Sequence, residues 1–163
     1  MTPGGSPGDP ASPEARLARL GLDLPPAAAP VAAYVPAVRS GAYVYTSGQL
    51  PFARGELAAA GKVGSEVSAE EARQLARICT LNALAALASV AGGLSAVRRV
   101  VKVTGFVASA PGFTGQPQVV NGASELLLEV FGEAGRHARS AVGVAVLPLN
   151  APVEIELIAE IAD

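Results

Sequence analysis

The last part of the chain sets the tightest limit on its fold. In GRHARSAVGVAVLPLNAPVEIELIAEI, residues 135–161, apolar side chains fall on every second position from Val153 to Ile161. A period of two belongs to a strand with one face buried against a core. Residues 139–147 read as a second strand, and Pro148, Asn150 and Pro152 frame the turn between them. The expected unit is a hairpin of strands 139–147 and 153–161. Among its charges, Arg139 stands at the start of the first strand and Glu154 at the start of the second. In a hairpin turning near Asn150, Arg139 lies beside Ile161 and Glu154 beside the turn. The two are then separated by roughly 23 Å at about 3.3 Å per residue. Groups that far apart cannot hold one small ligand within one chain, so a shared site implies two copies of the chain.

Two helices and two more strands precede this unit. Ser68-Ala-Glu-Glu71 is a capping box, in which serine and glutamate each satisfy a free amide at a helix start. The helix is expected to run to Ala91, where Gly92-Gly93 ends it. Leu75, Ile78, Leu81 and Ala85 lie near one line, and Ala72, Cys79, Ala83, Ala86 and Val90 widen the stripe. A second helix is expected over residues 116–131, with Val120, Leu127, Leu128 and Phe131 apolar. Ala42 to Ser47 reads as a strand, and so does Val97 to Ala108, with Val97, Val101, Val103 and Val107 on one face. The order β, α, β, α, β, β predicts an α+β domain, with two helices on one face of a mixed sheet. Pro13 to Leu20 predicts a short helix, and Pro25, Pro26 and Pro30 an extended run. Residues 55–66, rich in Gly and Ala, predict a mobile loop. Residues 1–12 predict a disordered tail ahead of a single domain over 13–163.

Composition narrows the function. Half of the 163 residues are hydrophobic and 16% are charged, which suits a domain with apolar surface left for an interface. The net charge is −2 and the sequence pI about 5.4, with no basic cluster, so a nucleic-acid partner is disfavoured. The single cysteine, Cys79, excludes an intrachain disulfide and suggests a reducing compartment. The N-terminus lacks the pattern of a secretory signal. The apolar run 75–91 contains Arg77 and Asn82 and reads as a buried helix, not a membrane span. A cytoplasmic protein without a membrane partner is expected. His137 is the one histidine and has no neighbours suited to a zinc site; it is expected to be exposed near Gly135. GFTGQP, residues 112–117, lacks the lysine and spacing of a phosphate loop.

Two separated motifs, YVPAVRSGAYVYTSGQLP (34–51) and HARSAVGVAVLPLNAPVEIELIAE (137–160), resemble the Rid family of reactive-intermediate deaminases, also called YjgF or L-PSP endoribonuclease-like proteins. The resemblance spans roughly residues 30–161. It implies a chorismate mutase-like fold and a homotrimer, with the sheets packed as a central barrel and clefts between subunits. It also implies hydrolysis of 2-aminoacrylate-type enamine and imine acids to 2-keto acids and ammonia, with no metal or cofactor. Position by position, Arg139 matches the arginine that holds the substrate carboxylate, and Glu154 the acid that holds the attacking water. Tyr34 matches a cleft tyrosine, Ser47 and Gly48 the loop at the cleft wall, and Asn121 the asparagine of the second helix. The family's best-known members carry a cysteine where this chain has Ala141, and a larger residue where it has Gly143. These departures mark a distinct subgroup, and the small side chains imply a wider cleft floor.

The residue types suit this chemistry. A guanidinium can grip a planar carboxylate by two parallel hydrogen bonds, which lysine cannot do. Imine hydrolysis needs a placed water and a route for its proton, which a carboxylate within reach provides. Two other functions compete: a trimer that binds small carboxylates without turnover, motivated by Ala141 and Gly143, and a ribonuclease, which the acidic composition disfavours.

Overall fold

The computed structural model describes residues 9–29 and 33–162. The expected tail 1–12 lies largely outside the described residues. From Asp9 onward the chain makes a turn, and the Ser12 side chain caps helix α1 (Pro13–Arg19) by accepting from Ala15. Strands β1 (Ala37–Ser40) and β2 (Tyr43–Thr46) follow, then the two-residue strands β3 (Phe52–Ala53) and β4 (Glu56–Leu57). Helix α2 spans Ala69–Ala91, β5 Val97–Ala108, α3 Gln116–Phe131, β6 Ala138–Val144 and β7 Val153–Ile161. The architecture is α+β: α2 and α3 cover one face of a five-stranded mixed sheet of order β1-β2-β7-β5-β6.

α2 begins and ends where its caps dictate. Ser68 Oγ accepts the Glu71 amide at 3.1 Å, and Gly92 closes the helix in the left-handed region at φ 83°. Its buried face differs in part from the expected stripe. Ala72, Leu75, Ala76, Cys79, Thr80, Ala83, Leu84, Ala86 and Leu87 face the core, whereas Ile78 and Leu81 are half-buried and Val90 is exposed. By length and composition α2 is the one helix among the described residues that could cross a membrane. Here it packs on the sheet and on α3. The helices approach closely at Gly122 of α3, where a Cβ would strike the backbone oxygen of Arg73 on α2. The outer rim of this contact carries the ion pairs Arg73–Glu125 and Arg77–Glu129.

The terminal hairpin does not form. β6 pairs in parallel with β5, and β7 inserts between β2 and β5, antiparallel to both. The cause is α3: it returns the chain to the start of β5, so the next strand must run parallel to it. The free edge of β5 then receives β7. Residues 145–152 step across the end of β5, where Ala108 donates to Pro152 and Ser109 to Val144 at 2.9 and 3.0 Å.

Three further expectations change. Register shifts in β5 between Val97 and Arg99, and between Val100 and Lys102, bring Val100 to the core and leave Val101 half-buried. A bulge adds a residue to one strand and so exchanges the faces beyond it. Residues 55–66 are tied down: the Gly61 amide bonds to Asn150, the Val63 amide to Ala108, and the Lys62 amide to the Glu66 carboxylate. Val63 is fully buried. β1 was not expected, since Ala37-Val-Arg-Ser40 has no apolar alternation to mark it.

Among the described residues, no helix covers the sheet's second face. The register and the period-two alternation place Val38, Tyr43, Tyr45, Phe106, Val142 and Ile158 there, with Lys102, Thr104, Glu154, Glu156 and Glu160 among them. Tyr43, Tyr45, Val38 and Val142 are more than 40% exposed, which is much apolar surface for one face.

Candidate functional site

Five of the six candidate residues fall into two groups. Arg139 and Asn121 form the first. β6 carries Arg139 beside Val103, whose side chain lies in the core, so the guanidinium points to the helix layer. There Nη1 donates to Asn121 Oδ1 at 2.7 Å and to Ser124 Oγ at 3.2 Å, both on α3. Arg139 is half-buried, and no carboxylate pairs with it among the described residues. Ser124 was not among the expected site residues. It lies three positions after Asn121, on the same helix face, and that spacing is the signal that could have found it.

Ser47, Gly48 and Glu154 form the second group. A Cβ at Gly48 would collide with Glu154 Oε1 where it stands, so the carboxylate lies directly against the loop backbone. The neighbouring Gln49 is bridged to Ile155 by amide–carbonyl bonds in both directions, at 2.8 and 3.0 Å, which locks the loop to β7. Ser47 spends its hydroxyl proton on Val35 O at 2.6 Å, while its amide reaches Pro36 O at 2.8 Å. It thus anchors the segment bearing Tyr34, which is 56% exposed, and leaves the Gly48 side of the loop to face Glu154. Burial, and then the neighbouring Glu156, push the Glu154 carboxyl above the ordinary range.

The two groups do not meet within the chain. Glu154 stands beside Phe106 and Arg139 beside Val103, on opposite sides of β5. Three residues along and two strand spacings across amount to about 14 Å between backbones. The two side chains also leave opposite faces of the sheet. The separation expected for a hairpin is therefore replaced by a shorter one, with the sheet itself in between. A hollow of about 140 Å³ on the open face, lined by Tyr45, Thr46, Lys102, Thr104, Glu156, Leu157 and Ile158, contains none of the six.

The floor beside Arg139 is not widened at Gly143 as expected. The Gln116 amide occupies the space a side chain there would take, held by Ser109 Oγ at 3.1 Å and Phe113 O at 2.8 Å. Cys79 is buried as expected, its thiol 3.6 Å from Val153 O and its pKa raised first by burial and then by Glu154. His137 is half-buried, not exposed, and its ring contacts Ser124 and Gly135.

The chain is thus an α+β sheet with two helices on one face, a guanidinium on the helix side and a carboxylate on the open side. The chain belongs to the YjgF/chorismate mutase-like family, which carries the endoribonuclease name; the match covers residues 14–161. It is 47% identical over 148 residues to Protein TCP17 of Trypanosoma cruzi, covering 90% of this chain and 92% of that one. A protein of unknown function from Agrobacterium tumefaciens is 50% identical, with a TM-score of 0.86 over 92% of each chain. TdcF of Escherichia coli, solved with bound serine, is 26% identical, with a TM-score of 0.62 over 85% of this chain and 94% of that one.

Proposed function

We propose that this chain is a hydrolytic deaminase of small enamine and imine acids of the 2-aminoacrylate type. It works in clefts between the copies of a homotrimer. The observation that carries the reading is Arg139, a half-buried guanidinium held by two neutral oxygens with no carboxylate beside it among the described residues. A half-buried guanidinium without a counter-ion keeps N–H groups free for an anion, and a ligand carboxylate would take them by charge-assisted hydrogen bonds. Serine, bound in the TdcF structure, is a small molecule that also carries a carboxylate.

With Arg139 and Glu154 on opposite faces, a ligand that meets both takes the Glu154 carboxylate from a second copy. The uncovered apolar face of the sheet provides the surface for that association. In the cleft, the carboxylate takes a proton from water as the oxygen adds to the imine carbon, and returns it to the nitrogen. The carbinolamine then expels ammonia and leaves the 2-keto acid. Burial that lifts the pKa of Glu154 brings it nearer to a value suited to both steps. No step needs a metal or an organic cofactor. RNA is a poorer fit, because Glu154, Glu156 and Glu160 share the open face.

The test generates 2-aminoacrylate enzymatically and follows its decay with and without the protein. Acceleration supports the deaminase. Tight binding of a 2-keto acid without acceleration supports the alternative, a carboxylate-binding trimer without turnover, which Ala141 and the Gln116-filled position at Gly143 favour. Light scattering at micromolar concentration is expected to give three times the 16.3 kDa chain mass. A monomer would remove the two-copy site.

A further inference from the structure

His137 stands on the turn that leads from α3 into β6, and its ring closes a directed chain of hydrogen bonds. Nδ1 lies 2.6 Å from Gly135 O. A carbonyl can only accept, so Nδ1 carries the ring proton. In the neutral ring Nε2 is then an acceptor, and it lies 2.9 Å from Ser124 Oγ. The Ser124 hydroxyl therefore donates to Nε2, and its lone pair accepts Arg139 Nη1 at 3.2 Å. Every donor and acceptor from the Gly135 carbonyl to the guanidinium is assigned by this one tautomer.

We propose that His137 is a positioning residue for Arg139. Its neutral Nδ1–H form turns the Ser124 hydroxyl so that Nη1 is held and the rest of the guanidinium is presented to a carboxylate. This rests on the reading of Arg139 as the ligand's anchor.

Protonation reverses the bond between His137 and Ser124. With a proton on Nε2 the ring becomes a donor, the Ser124 hydroxyl proton loses its acceptor and must turn away, and a second cation stands beside the oxygen that holds Arg139. The surrounding charges do not offset it. On α3, Glu125 and Glu129 pair with Arg73 and Arg77. On the turn, Glu133 pairs with Arg136 at 2.9 Å. Lys102 of β5 donates to Ser140 on the far face of the sheet. Burial holds the imidazole below its ordinary pKa, and Arg139 adds to that against the pull of the Gly135 carbonyl.

The chain has one histidine, so long-range proton–nitrogen spectra of the imidazole report this ring alone. The expected spectrum is that of the Nδ1–H tautomer, with a midpoint below 6.5 that rises in Arg139→Ala. An Nε2–H tautomer overturns the proposal. The second arm titrates 2-oxobutanoate by calorimetry at about pH 8 and at about one pH unit below the imidazole midpoint that these spectra give. Wild type is expected to weaken about three- to tenfold at the lower pH, the cost of a disturbed bond to a charged group. His137→Gln, whose amide oxygen accepts from Ser124 at either pH, is expected to bind as wild type at the higher pH and to lose that fall. Any fall caused by Glu154 persists in this variant. Equal pH profiles, or wild-type binding that tightens in acid relative to His137→Gln, overturn the proposal. If Arg139→Ala binds normally, the carboxylate site fails and the relay with it. If Arg139→Ala loses binding while His137→Gln keeps the wild-type profile, only the relay fails.

Discussion

Arg139→Lys and Arg139→Ala are both expected to weaken 2-keto acid binding by about one to two orders of magnitude and to leave the fold in place. A hydrogen bond to a charged group contributes about 1.5–3 kcal/mol, and the arginine is proposed to offer a pair of them to the carboxylate. Nη1 is already engaged by Asn121 and Ser124, so the fork that remains is the outward edge of the guanidinium. Lysine keeps a charge, but it cannot bond α3 and present two parallel N–H groups at once. β6 is an edge strand and Arg139 is half-buried, so little core packing depends on the side chain. Calorimetric titration with melting curves alongside checks this. Wild-type affinity in the lysine variant would reduce the argument to charge alone, and wild-type affinity in the alanine variant would move the site elsewhere.

Glu154→Gln is expected to lower turnover of imino acids by about a hundredfold or more while keeping 2-keto acid affinity near wild type, because only proton transfer is removed. The same change should raise the melting temperature at neutral pH. Burial and Glu156 lift the Glu154 pKa above 4.5 in the folded chain. Between 4.5 and that raised value the folded state binds more protons than the unfolded one, so stability falls as pH rises through this window. Above the window the ionised carboxylate is a standing cost, and glutamine removes it. Well below pH 4.5 both states are protonated and the advantage of glutamine should shrink. Single-turnover kinetics and melting curves at two pH values measure both halves. A variant that loses turnover and stability together would mark Glu154 as structural.

Much of this was legible in the sequence, and the exceptions have physical causes. Caps and a 3.6-residue period placed α2 and α3, and strict alternation placed β7, because these signals are local. The partner of β6 was not local: the spacing of two apolar strands suggests a hairpin, and only the packing of α3 on β5 shows that β6 must run parallel. The bulges in β5 exchanged Val101 for Val100, since inserted residues leave no mark in an apolar run. Among the candidate residues, Arg139 with Asn121, and Gly48 with Glu154, were marked by motif matches, and the fold makes each pair neighbours. Ser124 and His137 were not, because their bonds exist only once a helix face and a turn meet at the start of β6.

The two halves of the proposed site sit on different segments: α3 and β6 bear the proposed anion anchor, whereas the loop after β2 and the start of β7 bear the proposed proton carrier. One chain with a damaged anchor and another with a damaged carrier are therefore not equally dead when mixed. Co-refolded Arg139→Ala and Glu154→Gln chains, each inactive alone, would rebuild intact clefts wherever the sound halves adjoin. Random assembly in equal amounts returns about a quarter of the wild-type clefts, as expected for a closed ring of head-to-tail contacts. Activity recovered by mixing two silent preparations would be the genetic signature of a site that no single copy owns.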